Sequence, residues 1–552
     1  MTLIVIFSIN LFSQNLPDST IKKIDNLFKT WDNNYSPGCI IGIIRNDSLI
    51  YSKGYGMANL EFGAPITTET VFHMASVSKQ FTAYSIILLA NRGKLKLDDD
   101  IHKYLSWFPD LKEKITINNL LNHTSGIRDQ WQLMDISGTR YSDIITQEHV
   151  VSILSNQKAL NFKPGEQYMY SNSGFTLLAE IVKSVTGQTL RQFADSAIFK
   201  PLGMTKSFFR DDNSEIIKNR AASYRRLDKT HFANSVFNNS SVGATNLSTT
   251  IDDMSKWVSN FYYTKAGNQN DINLLTQKGK LNNGKELNYA AGIVSGTYKG
   301  WREFAHAGGD AGYRTYITVF PDLKMGFLVF ANVPEVGTSQ KAHQLADLFI
   351  SDTSGLKSLP QKIDSSKAFL KDASIIKKIA GDYIGEDGLQ IHFFDMANKF
   401  YLSSDAFGDS LLLFQEDQTT FSFIDRTDVR FLFTNSTIKP ALTVSYSKNE
   451  FFLFTKYKKD EIWADATLKE YTGTYYCPEL QCRYDILLKD HHLVIKNIKY
   501  PETPVTFAGP NHLFTGLSGM NHLMMIRNKE KVITGFEVNS NRVMHLRFDK
   551  TE

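Results

Sequence analysis

Ser76 and Lys79 are the residues whose types and spacing point most directly to chemistry. They occur in His73–Phe81 (HMASVSKQF), just before a run that reads as a helix, and helical residues three apart lie on one face. A serine hydroxyl becomes a good nucleophile only when a base removes its proton, and a lysine can be that base only if its pKa is lowered by roughly 3 units. Because the same spacing recurs elsewhere, at Ser155 and Ser354 for example, other motifs must decide its meaning.

Two further motifs supply groups that acyl transfer needs. In Tyr170-Ser171-Asn172 the phenol can relay protons to a leaving group, and the amide can orient a substrate carbonyl. In His306-Ala307-Gly308-Gly309 the glycines open the edge of a predicted strand to a substrate backbone. A main-chain N–H there can pair with that of Ser76 as an oxyanion hole worth roughly 3–4 kcal/mol. Each motif alone is more often a turn or a strand end, so the prediction depends on their joint occurrence.

The order Ser-x-x-Lys, Tyr-x-Asn, His-x-Gly resembles the serine β-lactamase and penicillin-binding protein superfamily, and within it the class C-like branch. The resemblance covers about residues 20–350 and extends to stretches without a direct chemical role, namely Leu120–Ile127, Pro201–Met204 and Asp252–Trp257. It implies that Ser76 is the acylated nucleophile and that Lys79 and Tyr170 share the general base and acid roles. The substrate-binding residues that it implies are Asn172, His306, Gly308 and Gly309, with the Gly309 N–H completing the oxyanion hole.

His306 stands where most β-lactamases have the lysine of Lys-Thr-Gly. An imidazole binds a carboxylate less firmly than an ammonium does at pH 7, which argues against efficient penicillin turnover and favours peptides or esters. We expect His306 to face the mouth of the site and to titrate near neutrality. The alternative is a buried strand residue that is hydrogen-bonded to the backbone. Glu166 lies inside the tyrosine motif and is interpreted as structural.

The leading hypothesis is a serine hydrolase that forms an acyl-enzyme at Ser76, with no metal or organic cofactor. It would act on D-amino-acid-containing peptides, as an aminopeptidase or carboxypeptidase, or on small esters. The expected partner is a small-molecule or peptide substrate, such as one derived from the cell wall. Two alternatives are open: a catalytically silent receptor of the penicillin-binding-protein type, and a weak β-lactamase. A nucleophile kept beside its base favours an enzyme, because binding alone requires neither.

The composition is that of a globular protein, with 42% hydrophobic and 21% charged residues. A length of 552 residues predicts about three to five domains. The formal net charge is only +4, and the chain contains no run of five or six basic residues. Nucleic acid is therefore not an expected partner.

The first dozen residues are the part of the chain most like a membrane segment. Leu3–Phe12 is apolar but half the length that a membrane span requires, so no stable span is expected. It fits the apolar region of a signal peptide over residues 1–14, although the usual positive flank is absent, and a buried strand is the alternative. We expect a periplasmic or secreted protein.

The rest of the chain divides into segments with different sequence patterns. Residues 17–350 mix helical and strand patterns and predict an α+β fold, which by the resemblance is an antiparallel sheet flanked by helices with a helical subdomain. Residues 351–367 have the composition of a linker. Residues 368–460 and 461–552 read as β structure and repeat one another, because Gly381-Asp382-Tyr383 matches Gly473-Thr474-Tyr475 at an offset of 92 residues. Each repeat suits a small antiparallel, lipocalin-like barrel of about eight strands, an organisation similar to that of multidomain D-aminopeptidases.

The three cysteines, Cys39, Cys477 and Cys482, are too few for a disulfide framework. Cys477 and Cys482 could form one local bridge in an oxidising compartment. A zinc site is the competing interpretation, but no second ligand pair at suitable spacing accompanies them, and His491 and His492 suit a strand surface equally well.

Overall fold

The computed structural model describes residues 16–353 and 373–551, apart from residues 386–387, 398, 405–407, 424–428, 435–440, 448–449 and 459–462. The predicted signal peptide over residues 1–14 and most of the predicted linker over 351–367 therefore lie outside the described residues. The chain forms two compact units, and the second contains Arg128–Arg140 and Asn156–Asn161 together with Leu356–Glu552. None of the described helices combines the length and apolar character that crossing a bilayer would require.

An antiparallel sheet of six strands organises the first unit, in the order β10-β11-β12-β13-β1-β2. Small two- and three-stranded sheets accompany it. The strands of this unit are β1 (Cys39–Arg45), β2 (Ser48–Tyr55), β3 (Met57–Asn59), β4 (Ala64–Pro65), β5 (Phe72–His73), β6 (Phe208–Phe209), β7 (Tyr224–Arg226), β8 (Phe232–Asn234), β9 (Leu247–Thr249), β10 (Val294–Tyr298), β11 (Trp301–Asp310), β12 (Tyr313–Phe320) and β13 (Met325–Ala331).

Helices cover both faces of the large sheet. The helices up to residue 346 are α1 (Asp18–Phe28), α2 (Ser78–Asn91), α3 (Ile117–Leu121), α4 (Gln130–Ser137), α5 (Gln147–Ser155), α6 (Asn172–Thr186), α7 (Leu190–Ala194), α8 (Lys200–Leu202), α9 (Ile251–Asn260), α10 (Gln269–Thr276) and α11 (Thr338–Ala346). Ile41 and Ile43 of β1 belong to one core cluster with α1 and α11, whereas Gly42 between them faces Ile251 of α9. Because both faces are covered, β1 is an uninterrupted apolar run rather than an alternating one.

Two closed antiparallel barrels of eight strands each follow the first unit, as predicted. The first barrel contains β14 (Gly381–Gly385), β15 (Gln390–Met396), β16 (Lys399–Ser404), β17 (Gly408–Gln415), β18 (Thr420–Phe423), β19 (Arg430–Phe433), β20 (Ala441–Ser447) and β21 (Glu450–Tyr457), preceded by α12 (Ala373–Ile379). The second contains β22 (Gly473–Cys477), β23 (Cys482–Lys489), β24 (His492–Lys496), β25 (Thr503–Phe507), β26 (His512–Thr515), β27 (His522–Arg527), β28 (Ile533–Ser540) and β29 (Val543–Lys550), preceded by α13 (Asp465–Leu468).

The sequence repeat corresponds to equivalent positions in the two barrels. Gly381 and Gly473, which open β14 and β22, are 92 residues apart and both have a positive φ. Two residues later, the buried rings of Tyr383 and Tyr475 donate hydrogen bonds from their hydroxyls to the carbonyls four residues before them. The same closing interaction is thus used twice, as expected of duplicated units.

Within the second unit, the segment Arg128–Arg140 packs on the second barrel. Arg128 Nη1 donates to both carboxylate oxygens of Glu479, at 2.9 and 2.7 Å, and the two side chains are 1% and 7% exposed. The same guanidinium donates to the carbonyls of Met544 and His545. Tyr484 donates to the carbonyl of Ile136 on α4 at 2.7 Å. The segment is therefore held by a buried ion pair whose donors and acceptors are matched.

Cys477 and Cys482 lie directly opposite each other on β22 and β23, and both are free thiols in the structure. The Cys482 thiol points at the carbonyl of Ile136, 3.8 Å away. Among the described residues, no three His, Cys, Asp or Glu side chains form a group that could hold a metal ion.

Candidate active site

A strained turn presents Ser76 at the start of α2. Ala75 has a φ of +47°, in the left-handed region that residues with a Cβ atom rarely occupy. Thr315 of β12 donates to the carbonyl of Met74 at 2.9 Å, and the hydroxyl of Ser78 donates to the carbonyl of Ala75 at 2.6 Å. These bonds fix the turn from both sides. Ser76 itself is only partly buried, whereas its neighbours Ala75 and Val77 are buried.

Lys79 is fully buried, and its amino nitrogen contacts the hydroxyl of Ser76. Its Nζ lies 3.1 Å from Ser76 Oγ, 2.9 Å from Asn172 Oδ1 and 2.8 Å from the carbonyl oxygen of Ala244. An amide oxygen and a carbonyl oxygen can only accept, so they orient two N–H bonds of Lys79. In a neutral amine the lone pair then faces Ser76 Oγ, which is the arrangement that a general base requires.

Tyr170 and Asn172 reach the site from the start of α6, which begins at Asn172. The Tyr170 ring lies over the amino group of Lys79, with 4.9 Å between Nζ and the ring centroid. A half-buried phenol and a buried amine thus lie close together beside the hydroxyl of Ser76. The structure therefore brings Ser76, Lys79, Tyr170 and Asn172 together, although 93 residues separate Lys79 from Asn172.

His123 packs against Tyr170 and Ser171 and was not among the predicted site residues. It is buried, has a φ of +58°, and packs on the Tyr170 ring at 4.2 Å between centroids. Its Nδ1 accepts a hydrogen bond from the backbone N–H of Ser171 at 3.1 Å. His123 therefore fixes the backbone between Tyr170 and Asn172.

Strand β11 forms the opposite wall and leaves an edge available. Strand β10 pairs with Trp301–Ala305 only, whereas β12 pairs with β11 as far as Asp310. The stretch 306–310 thus has a strand partner on one side only within the described residues. A Cβ atom at Gly308 would overlap the Met74 carbonyl oxygen and the Thr315 hydroxyl. Glycine is therefore required at position 308, where β11 meets the turn that carries Ser76.

The structure corrects the expectation for His306. This side chain is 5% exposed, and burial is the largest cause that lowers its pKa to about 3. Its Nδ1 donates to the carbonyl of Ala307 at 2.6 Å, so its Nε2 accepts from the hydroxyl of Tyr289 at 2.9 Å. The imidazole is neutral at pH 7, and the expectation of a titrating group at the mouth of the site is wrong. His306 is instead a buried strand residue that is hydrogen-bonded to the backbone, which was the alternative interpretation.

The sequence of the chain matches a known protein family. The family described as Beta-lactamase matches residues 24–349, which is more than half of the chain. The chain belongs to the beta-lactamase family. Among named relatives, penicillin-binding protein 4* of Bacillus subtilis (strain 168) is 26% identical over 400 residues, covering 69% of this chain and 87% of that protein. D-aminopeptidase of Brucella anthropi is 25% identical over 318 residues, covering 58% of this chain and 60% of that protein.

Solved structures share the fold of this beta-lactamase family member. The octameric penicillin-binding protein homologue from Pyrococcus abyssi has a TM-score of 0.54 and 23% identity, covering 79% of this chain and 98% of its own. D-amino acid amidase from Ochrobactrum anthropi SV3 has a TM-score of 0.51 and 19% identity, covering 60% of this chain and 98% of its own. The family match and these relatives identify the protein as a serine hydrolase of the beta-lactamase and penicillin-binding protein group.

Two contributors to the site in this family member carry no sequence signal of their own. Tyr289 lies in a loop and acts through its hydrogen bond to His306. Ala244 contributes only its carbonyl oxygen to Lys79, which any residue type could supply. Only the structure reveals these two residues.

Proposed function

We propose that Ser76 attacks the carbonyl carbon of a substrate amide or ester and becomes acylated. Lys79 takes the Oγ proton as the Oγ–C bond forms, and the negative charge moves to the carbonyl oxygen. The observation that carries this proposal is the pair of acceptors, Asn172 Oδ1 and the Ala244 carbonyl, which orient the amine of Lys79 towards Ser76. Such positioning of a base commonly contributes about 10²–10⁴-fold to a rate.

The oxyanion would be stabilised by the backbone N–H groups of Ser76 and Gly309. The open edge of β11 supports this role for Gly309, because a substrate backbone can pair with the stretch 306–310. When the tetrahedral intermediate collapses, the bond from carbon to the leaving nitrogen or oxygen breaks. The leaving group takes its proton from Lys79. The Tyr170 ring lies against the amino group that gives up this proton. Water then attacks the acyl-enzyme and regenerates the hydroxyl of Ser76.

The proposed substrates are D-amino-acid-containing peptides or small esters. D-aminopeptidase of Brucella anthropi is among the relatives, and the neutral His306 offers no cation where a lysine would hold the carboxylate of a penicillin. We therefore propose that β-lactam turnover is weak. Export to the periplasm or the medium is also proposed, from the apolar segment Leu3–Phe12.

Active-site labelling followed by a substrate panel tests this function. A fluorophosphonate probe should add one label at Ser76, located by peptide mass spectrometry, and Ser76→Ala should abolish the label. The panel compares D-Ala-p-nitroanilide, a D-Ala-D-Ala peptide, p-nitrophenyl butyrate and nitrocefin. Failure of both the fluorophosphonate and a fluorescent penicillin to label a folded protein that still binds a cell-wall fragment would favour the silent receptor. Nitrocefin turnover near 10⁶ M⁻¹s⁻¹ or above would contradict the proposed weak β-lactam activity.

A further inference from the structure

A cavity of about 250 Å³ lies in the first unit beside the small sheet formed by β5, β9 and β6. His73 of β5, Ser248 of β9 and Arg210, which follows β6, belong to its lining. The lining also includes Arg220 but no aspartate or glutamate. None of the residues proposed above for catalysis or substrate binding lines this cavity.

Arg210 is the unusual member of this lining. It is 4% exposed, and its Nη2 donates to the carbonyl of Asn213. Its Nε and Nη1 atoms are buried and have no acceptor among the described residues. Leaving a buried donor of a charged group unpaired is unfavourable, because the group has lost its hydrogen bonds to water. A ligand that supplied acceptor oxygens would remove this cost.

The charge balance around Arg210 also favours an anion. Burial first, and then the positive charge of Arg220, lower the pKa of the Arg210 guanidinium. Asp212 and Glu215 attract it more weakly and make their hydrogen bonds elsewhere, Asp212 with Ser214 and Glu215 with Arg191. Neither arginine of the cavity forms an ion pair with a residue that the structure describes. The site therefore holds two cationic side chains and lacks the carboxylate that usually accompanies a buried cation.

The other walls indicate an organic ligand rather than a bare ion. The rings of Phe237 and Tyr313 line the cavity and pack on the ring of His73, with centroid distances of 4.2 and 5.3 Å. His73 Nε2 lies 3.3 Å from Asp310 and 3.2 Å from Thr245, so this atom is already engaged. A volume below the roughly 300–1,000 Å³ of drug-sized sites suits one ring or a short chain.

We propose that this cavity binds a small organic carboxylate. Its carboxylate oxygens accept hydrogen bonds from Arg210, Arg220 provides a second positive charge at the exposed side, and its apolar part packs on Phe237 and Tyr313. Carboxylate–guanidinium pairs are among the strong hydrogen bonds of proteins because both partners are ionised.

Calorimetric titration of the full-length protein with benzoate tests the proposal. Benzamide has the same shape without the charge, and inorganic phosphate has the charge without the ring. We expect benzoate to bind at least tenfold more tightly than either compound. Arg210→Gln should weaken benzoate binding at least tenfold, and Arg220→Gln two- to fivefold. Arg225→Gln removes an exposed arginine of β7 that does not line the cavity, and it should change the affinity by less than twofold.

Several results would overturn the proposal. These are no heat of binding at 10 mM benzoate, equal binding of benzamide, phosphate binding as tight as that of benzoate, or a benzoate affinity that neither arginine substitution changes. The melting temperature of each variant is measured without ligand. Because Arg220 is exposed, its substitution should leave the fold intact, so the test stays decisive even if Arg210→Gln does not fold.

Discussion

Gly308 packs so closely against Met74 that a Cβ atom at position 308 would overlap the Met74 carbonyl oxygen. This approach joins the open edge of β11, where we propose that substrate binds, to the turn that presents Ser76. The distance between Ser76 and the proposed oxyanion donor at Gly309 therefore depends on the absence of one side chain.

Gly308→Ala should separate these two elements. We expect a lower melting temperature and a fluorophosphonate labelling rate reduced by about 100-fold, since a shift of about 1 Å in a reacting group can cost that much. Gly309→Ala is the matched control, because its Cβ would lie at an ordinary 3.5 Å from the Arg314 side chain. Its melting temperature should stay within a degree or two of the wild-type value. Equal melting temperatures for both alanine variants would contradict the packing argument.

Lys79→Ala should abolish acylation, because Ser76 then keeps its proton. We expect kcat/KM to fall by at least about 10³-fold, equivalent to roughly 4 kcal/mol. Ser76→Ala should be equally inactive, and the double variant barely worse than either one, because groups that act as a unit are non-additive. Additive losses would show that the two residues do not act as a pair.

The neutral state of His306 predicts a simple pH dependence. With a pKa of about 3, this side chain does not change its charge between pH 5 and 9. The profiles of kcat/KM for a peptide that carries a carboxylate and for a neutral ester should therefore superimpose over this range. An additional ionisation near pH 7 that is seen only with the peptide, and lost in His306→Gln, would show that His306 titrates after all.

His306 should also make the first unit sensitive to acid. Its pKa is lowered from 6.5 to about 3, so the unfolded chain binds a proton in this range that the folded chain does not. The stability contributed by the neutral imidazole is complete above pH 6.5 and is lost as the pH falls towards 3. Urea unfolding at pH 6, 5 and 4 should give a shallower decline for His306→Gln, by up to about 1.4 kcal/mol per pH unit. Parallel declines for the two proteins would refute this linkage.

Glu479→Leu should destabilise the second unit, because it leaves the guanidinium of Arg128 buried without its carboxylate. Removal of one partner of such a pair typically costs about 3–5 kcal/mol. Glu530→Gln is a suitable control, because this side chain is exposed. The measurement is the denaturation midpoint of the second unit, and unchanged midpoints in both variants would show that the ion pair contributes little.

Local spacing and repetition could be predicted from the sequence. The spacing of Ser76 and Lys79, three positions apart at the start of a helix, predicts that they share a face, and Lys79 Nζ lies 3.1 Å from Ser76 Oγ. The two barrels were predicted because the repeat places Gly381 and Gly473 at equivalent positions. Both inferences need only short-range geometry or internal comparison.

Burial and long-range packing could not be predicted in the same way. His306 was misjudged because its residue type says nothing of the burial that lowers its pKa or of its bond to Tyr289. Arg128 and Glu479 are 351 residues apart, and no local pattern links them. Arg210 was not singled out either, since an arginine in a loop is usually exposed.

The separation between Arg128 and Glu479 has a consequence for biosynthesis. The partner of Arg128 is translated 351 residues later, which at 5–20 residues per second takes roughly 20–70 s. During this interval helix α4, between Gln130 and Ser137, exists without the barrel that will cover it. The nascent chain thus carries an unfinished surface in its first third until the last strands leave the ribosome, and a stop codon before Glu479 would leave that surface exposed permanently.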